Sequence, residues 1–164
     1  MAITPAGRGF AKNVHHRLAR WMYRDSRPGR MARPMNTIAA RLATRGLGPN
    51  RMVTLEVPGR RSGRSTSVPL VVADYEGERY LVSMLGQQAQ WVHNVRAAGG
   101  RATLEDGRSE NVQLVEVDAA DCAPILRRYL NVAPGARAHI PVHHRSPVED
   151  FAAVAEEYPV FRIT

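Results

Sequence analysis

The chain has 164 residues, 44% of them hydrophobic, enough for one ordinary domain whose core needs no disulfide or metal staple. Its single cysteine, Cys122, excludes an intrachain disulfide, and no apolar run approaches the ~20 residues of a membrane span. Twenty-two arginines stand beside one lysine, Lys12, for a formal net charge of +8, which favours an anionic partner: nucleic acid, a membrane surface, or a small ligand carrying phosphates and carboxylates.

The arginine-studded first thirty residues lack an apolar signal core, so a cytoplasmic location is expected. Phe10, Val14, Leu18, Trp21 and Met22 recur at helical spacing, with Arg17, Arg20 and Arg24 elsewhere around the axis. This basic amphipathic helix is suited to docking on the core, on a second subunit in a homodimer, or peripherally on anionic lipid at the inner face of a membrane. A second short helix is expected from the Asn36 cap to the Gly46 stop.

From Arg51 the period becomes two: Val53, Leu55 and Val57 alternate with Met52, Thr54 and Glu56, as in a half-buried strand. The stretch PGRRSGRSTSVPL follows, Pro58 to Leu70. A hairpin is expected next, with arms Val68–Ala73 and Arg79–Leu85 turned at Asp74 to Gly77; Pro69 marks an edge or a bulge. A helix around Trp91, Asn94 and Val95 ends at Gly99 and Gly100, and a second hairpin turns at Gly107. Ile125, Leu126, Tyr129 and Leu130 define another helix. In SPVEDFAAVAEEY, Ser146, Pro147 and Glu149 read as N-cap, N1 and N3 of a capping box, and a strand closes the chain. Consecutive hairpins imply an antiparallel sheet, and closure into a small split β-barrel decorated with helices is the economical α+β solution. Residues 1–50 form a helical segment on or beside a barrel domain at 51–164, with no linker between separate domains.

The arginine turn is neither a Walker A loop nor a GxGxxG loop. What remains is a short anion cradle, with N–H groups near Gly59 and Gly63 and the forks of Arg60, Arg61 and Arg64. A solvated charged turn is the competing reading. His139, His143 and His144 have poor ligand spacing, since Pro141 interrupts any helix that would stack them, so no metal site is assigned. Cys122 lacks an activating base and reads as a small buried residue, and no GxSxG elbow is present. With no protein nucleophile in sight, an enzymatic reading must take its chemistry from a cofactor.

PGRRSGRSTSVPL, followed by YLVSML and then WVHNVRAA, resembles the deazaflavin-dependent nitroreductase family over roughly Thr54 to Val117. The resemblance implies a flavin-binding type of split β-barrel and the cofactor 8-hydroxy-5-deazaflavin, coenzyme F420, with FMN as the alternative. By that similarity Arg60, Arg61, Ser62, Gly63 and Arg64 would grip the anionic tail. Thr66, Val68 and Pro69 would line the approach of the ring, Ser83, Met84 and Leu85 would flank it, and Trp91 and Asn94 would close the pocket. Trp91 is equally suited to a core anchor. The family's tyrosine-rich substrate wall has no clear match, Tyr129 being the nearest candidate, and Leu85 and Gly86 stand where members often carry a serine and a basic residue. The implied activity is hydride transfer to a quinone, a nitro compound or another conjugated electrophile. A non-catalytic binding protein for a flavin-like or apolar ligand and a small basic nucleic-acid-binding barrel are the alternatives, and the scarcity of aromatic residues on the strands argues against the second.

Overall fold

Alternating side chains from Met52 onward build a barrel in the computed structural model, which describes residues 51–164. The two helices expected within residues 1–50, and any subunit or lipid contact assigned to the first, lie outside the described residues. The strands are β1 (Met52–Pro58), β2 (Ser65–Tyr75), β3 (Glu78–Val82), β4 (Arg101–Glu105), β5 (Ser109–Glu116) and β6 (Val160–Ile163). Among the described residues three helices accompany them: α1 (Gln90–Ala97), α2 (Cys122–Val132) and α3 (Val148–Ala152). The strands close in the order β1-β2-β3-β6-β5-β4, and every pairing is antiparallel.

Two long strands make it a split barrel. β2 pairs with β1 through Ser65–Val71 and with β3 through Val72–Tyr75, while β5 pairs with β4 through Ser109–Gln113 and with β6 through Leu114–Glu116. Over its first half β2 therefore has one neighbour and an open edge. Pro69 sits there opposite Thr54. Because the Val72 N–H points to the Arg51 carbonyl, the two-residue alternation turns the Pro69 nitrogen to the open edge, where no ladder bond is lost.

The period of two sorts residues into two cores. Val53, Leu55, Val57, Leu81, Leu104, Val112, Leu114, Phe161 and Ile163 fill the barrel, joined by Trp91, Val92 and Val95 of α1. The opposite faces of the same strands carry Ala73, Tyr80, Val82 and Val160, which pack against Ile125, Leu126, Tyr129 and Leu130 of α2 and against Phe151 of α3. Burying both strand faces in this way is what the three helices contribute to the fold.

Local expectations were met unevenly. The β2–β3 turn is tighter than four residues: Glu76 (φ 50) and Gly77 (φ 82) form a two-residue connection with both φ positive, which suits the strand twist. β2 also begins at Ser65 rather than Val68, and β3 stops at Val82. The capping box does not form. Pro147, at φ −54 and ψ 154, is itself the N-cap of α3, no side chain caps it, and the Ser146 N–H closes a turn on the His143 carbonyl. A proline at the cap holds the chain extended, so Ser146 stands one residue too early, and the helix gives way after five residues to a 3₁₀ turn at Ala155–Glu157. Gly100 (φ 82) is required at the end of α1, because a Cβ there would strike the Leu114 carbonyl.

Candidate functional site

Residues 59–64 join β1 to β2 in a loop closed on itself. The Gly59 N–H donates to the Arg64 carbonyl at 2.8 Å and the Gly63 N–H donates to the Gly59 carbonyl at 2.8 Å. Gly63 has φ 67, and a Cβ on Gly59 would lie 3.1 Å from the Arg64 carbonyl, so both glycines are set by the turn. The Arg64 N–H donates to Ser62 Oγ. Backbone groups that the sequence offered to an anion are thus spent inside the loop, and its capacity to hold one rests on side chains.

Asn94 ties this loop to α1. Its Oδ1 accepts from the Arg60 backbone N–H at 3.2 Å and from the Arg60 guanidinium at 3.1 Å; its Nδ2 donates to Thr66 Oγ1, which in turn donates to the Val57 carbonyl. Arg60 also donates to Gln90 Oε1 at 3.1 Å. Asn94 is buried with all of these bonds made, so it works as a clasp, fixing where the arginines start. Arg61 and Arg64 are exposed and, like Arg60, form no ion pair among the described residues, whereas Arg51, Arg79, Arg96 and Arg128 all face carboxylates. Among the described residues, no ion pair compensates the positive charge of this turn.

The segment just ahead of α1 lines a cleft of about 420 Å³, formed by Met84, Leu85, Gly86, Gln87, Gln88, His139, Glu157 and Tyr158. Its wall is braced. Ser83 is buried, its N–H donates to the Pro159 carbonyl and its Oγ donates to the Gly86 carbonyl at 2.8 Å. Gln87 donates to the Glu156 carbonyl at 2.6 Å and accepts from Arg96 at 2.7 Å, and Arg96 is itself held by the Glu116 carboxylate. The first turn of α1 has no acidic residue and its N-cap, Ala89, makes no side-chain cap, so the helix supplies nothing of its own to neutralise its positive end.

The structure brings together most of the expected residues. Arg60, Arg61, Ser62, Gly63, Arg64, Thr66, Gln90 and Asn94 form one cluster; Met84 and Leu85 reach the cleft beside it, with Ser83 behind them. Val68 packs on the barrel core and Pro69 lies at the open edge of β2. Two expectations are not met in the form given. Trp91 is in the barrel core, its ring 5.4 Å from that of Phe161, and is the anchor that its helical position also allowed. Tyr129 is 3% exposed on the core face of α2, where burial pushes its hydroxyl well above the ordinary tyrosine range, so it forms no open substrate wall. Reading along the chain missed Gln87, Gln88, Glu157 and Tyr158, and weighed His139 only as a metal ligand. The cleft is assembled from segments more than fifty residues apart, and a pair of glutamines ahead of a helix is too common a signal to have singled it out.

The rings of His143 and His144 lie 4.4 Å apart, tilted by 39°, and among the described residues no three metal-ligating side chains come together. The Cys122 thiol is buried, and burial with Asp121 and Asp118 nearby pushes it up to about 11, unsuited to a nucleophile. Every described tryptophan, tyrosine and phenylalanine is buried or half-buried, so the described surface offers no platform on which bases could stack.

The described residues thus form a split barrel with a basic turn and a braced cleft at one helix end. Residues 17–142 match the family of F420H2-dependent quinone reductases, and the chain belongs to that family: it is a deazaflavin-dependent reductase. Solved structures agree on the fold. A conserved hypothetical protein from Mycobacterium tuberculosis superposes with a TM-score of 0.52 at 17% identity, covering 70% of this chain and 72% of that one. A protein of unknown function from Agrobacterium tumefaciens gives 0.51 at 12% identity, covering 75% and 52%, and a chain described as a domain-swapped dimer gives 0.50 at 14% identity, covering 82% and 96%. The curated proteins contain no match.

The residues present fit the cofactor that this family uses. Three arginines that have no carboxylate partner among the described residues suit a phosphodiester and oligoglutamate tail, and the adjoining cleft, apolar at Met84 and Leu85 and polar at Gln87 and Gln88, suits a flat heteroaromatic ring. Among the described residues, no helix is long and apolar enough to cross a membrane.

Proposed function

We propose that this reductase transfers a hydride from reduced coenzyme F420 to a quinone, with nitro compounds and other conjugated electrophiles as slower acceptors. The observation that carries the reading is the uncompensated arginine turn, placed at the same helix end as the cleft. Arg61 and Arg64 bind the tail as exposed forks, while Arg60, held by Asn94 and Gln90, sets the register of the turn. Met84 and Leu85 flank the ring, and Ser83, Gln87 and Arg96 keep that wall from moving away. When bound, the cofactor supplies the hydride; the protein orients the two reactants and excludes water. FMN carries a single phosphate and would leave part of the arginine turn unused, which favours the deazaflavin. Residues 51–164 act as the barrel domain that holds this site. Self-association is the further partner that we propose, consistent with the neighbour of this fold described as a domain-swapped dimer.

Anaerobic assays of reduced F420 oxidation test the reading. Menadione is expected to be reduced at a saturable rate, with a nitroimidazole slower. Absence of oxidation with either acceptor, by protein that still binds the cofactor, would replace the reading with a non-catalytic binding protein.

A further inference from the structure

Reduction of a quinone needs a proton as well as a hydride, and the residues bracing the cleft include few that could give one. Met84 and Leu85 have no acidic proton, and the amides of Gln87 and Gln88 do not release theirs. Tyr158 directs its hydroxyl hydrogen to the His139 carbonyl at 3.0 Å. His139 and Glu157 are the remaining titratable groups lining the cleft. The His139 peptide is fixed at both ends, its N–H donating to the Ala136 carbonyl at 2.9 Å and its carbonyl accepting from Tyr158, with the next residue, Ile140, buried in the outer core. His139 thus lines the cleft, half-buried, at a backbone corner held on both sides. Arg137, two residues earlier, turns its guanidinium to the Leu130 and Asn131 carbonyls.

Resting on the reading above, we propose that His139 is the general acid of the reaction, protonating the acceptor oxygen as the hydride arrives. Imidazole is the side chain that both gives up and regains a proton near neutral pH, which a donor used in every turnover requires. The balance is simple. The acceptor gains one hydride, with its electron pair, from the reduced cofactor and one proton from the imidazolium; an O–H bond forms as the imidazolium N–H bond breaks. The ring nitrogen then recovers its proton from water, and the acceptor leaves reduced by two electrons.

His139→Gln and His139→Ala, assayed with reduced F420 and menadione, test the proposal. We expect kcat to fall about 100-fold in both, within the range by which positioned acids accelerate reactions. Added imidazole should restore turnover to His139→Ala but not to His139→Gln, whose side chain still fills the site. Binding of oxidised F420, followed by fluorescence quenching, should be unchanged in both. Wild-type turnover in either variant would overturn the proposal and pass the role to Glu157, and so would a loss of cofactor affinity that accounts for the lost rate. Failure of the wild type itself to reduce quinones would instead reject the functional reading on which the proposal rests.

Discussion

Arg61→Ala and Arg64→Ala are each expected to weaken binding of oxidised coenzyme F420 by ~1.5–3 kcal/mol, about ten- to hundredfold, the range for a lost hydrogen bond to a charged group. Neither guanidinium has an ion-pair partner among the described residues, and both are exposed, so their removal leaves the fold intact. Melting temperature should therefore stay put while affinity falls. Arg60→Ala is predicted to differ, because its guanidinium also bonds Gln90 and Asn94 and its loss loosens the turn. A collapse in melting temperature for Arg61→Ala or Arg64→Ala, with unchanged affinity in the surviving folded protein, would make those arginines structural.

Phe161→Ala is expected to destabilise the protein by ~3–5 kcal/mol, the range for truncating a buried aromatic residue. Phe161 is 1% exposed, packs its ring on Trp91 and lies in β6 between β3 and β5, so a cavity there would border the strands that close the barrel. Urea denaturation at constant m-value measures it. A loss of less than ~1 kcal/mol, typical of surface positions, would mean that the barrel interior is not the packed core described above. The same variant reports on α1. If Trp91 is chiefly a core anchor, Phe161→Ala should reach cofactor binding only indirectly, through the seat of α1.

The barrel was legible because its information is local. Val53, Leu55 and Val57 alternate cleanly, Gly77 and Gly107 mark hairpin turns, and hairpins in sequence leave few antiparallel arrangements open. Local signals also misled where a neighbour overruled them. Ser146 and Glu149 have capping-box spacing, yet Pro147 between them takes the cap position itself. In the same way, the glycines of the arginine turn suggested free N–H groups, but closing a six-residue loop consumed them.

The site was legible in part, and the dividing line is sequence distance. Arg60 to Arg64 form one contiguous loop and could be read as a unit. Asn94 was placed near them by resemblance, but its work as a clasp depends on Arg60, 34 residues away, and on Thr66, 28 residues away. No periodicity records such bonds. Glu157 and Tyr158 meet the Met84–Gln88 segment because the closed barrel brings β3 beside β6, carrying with them the chain that follows one and precedes the other, and Tyr158 holds His139 there through its carbonyl.

Parallel fluorescence titrations of the purified protein with oxidised coenzyme F420 and with FMN bear most directly on the central claim, that the arginine turn and the cleft together form a deazaflavin site. The predicted result is tighter binding of F420, by a margin that shrinks as added salt screens the tail from Arg61 and Arg64. Tighter binding of FMN, or an F420 affinity indifferent both to salt and to loss of the two arginines, would contradict it.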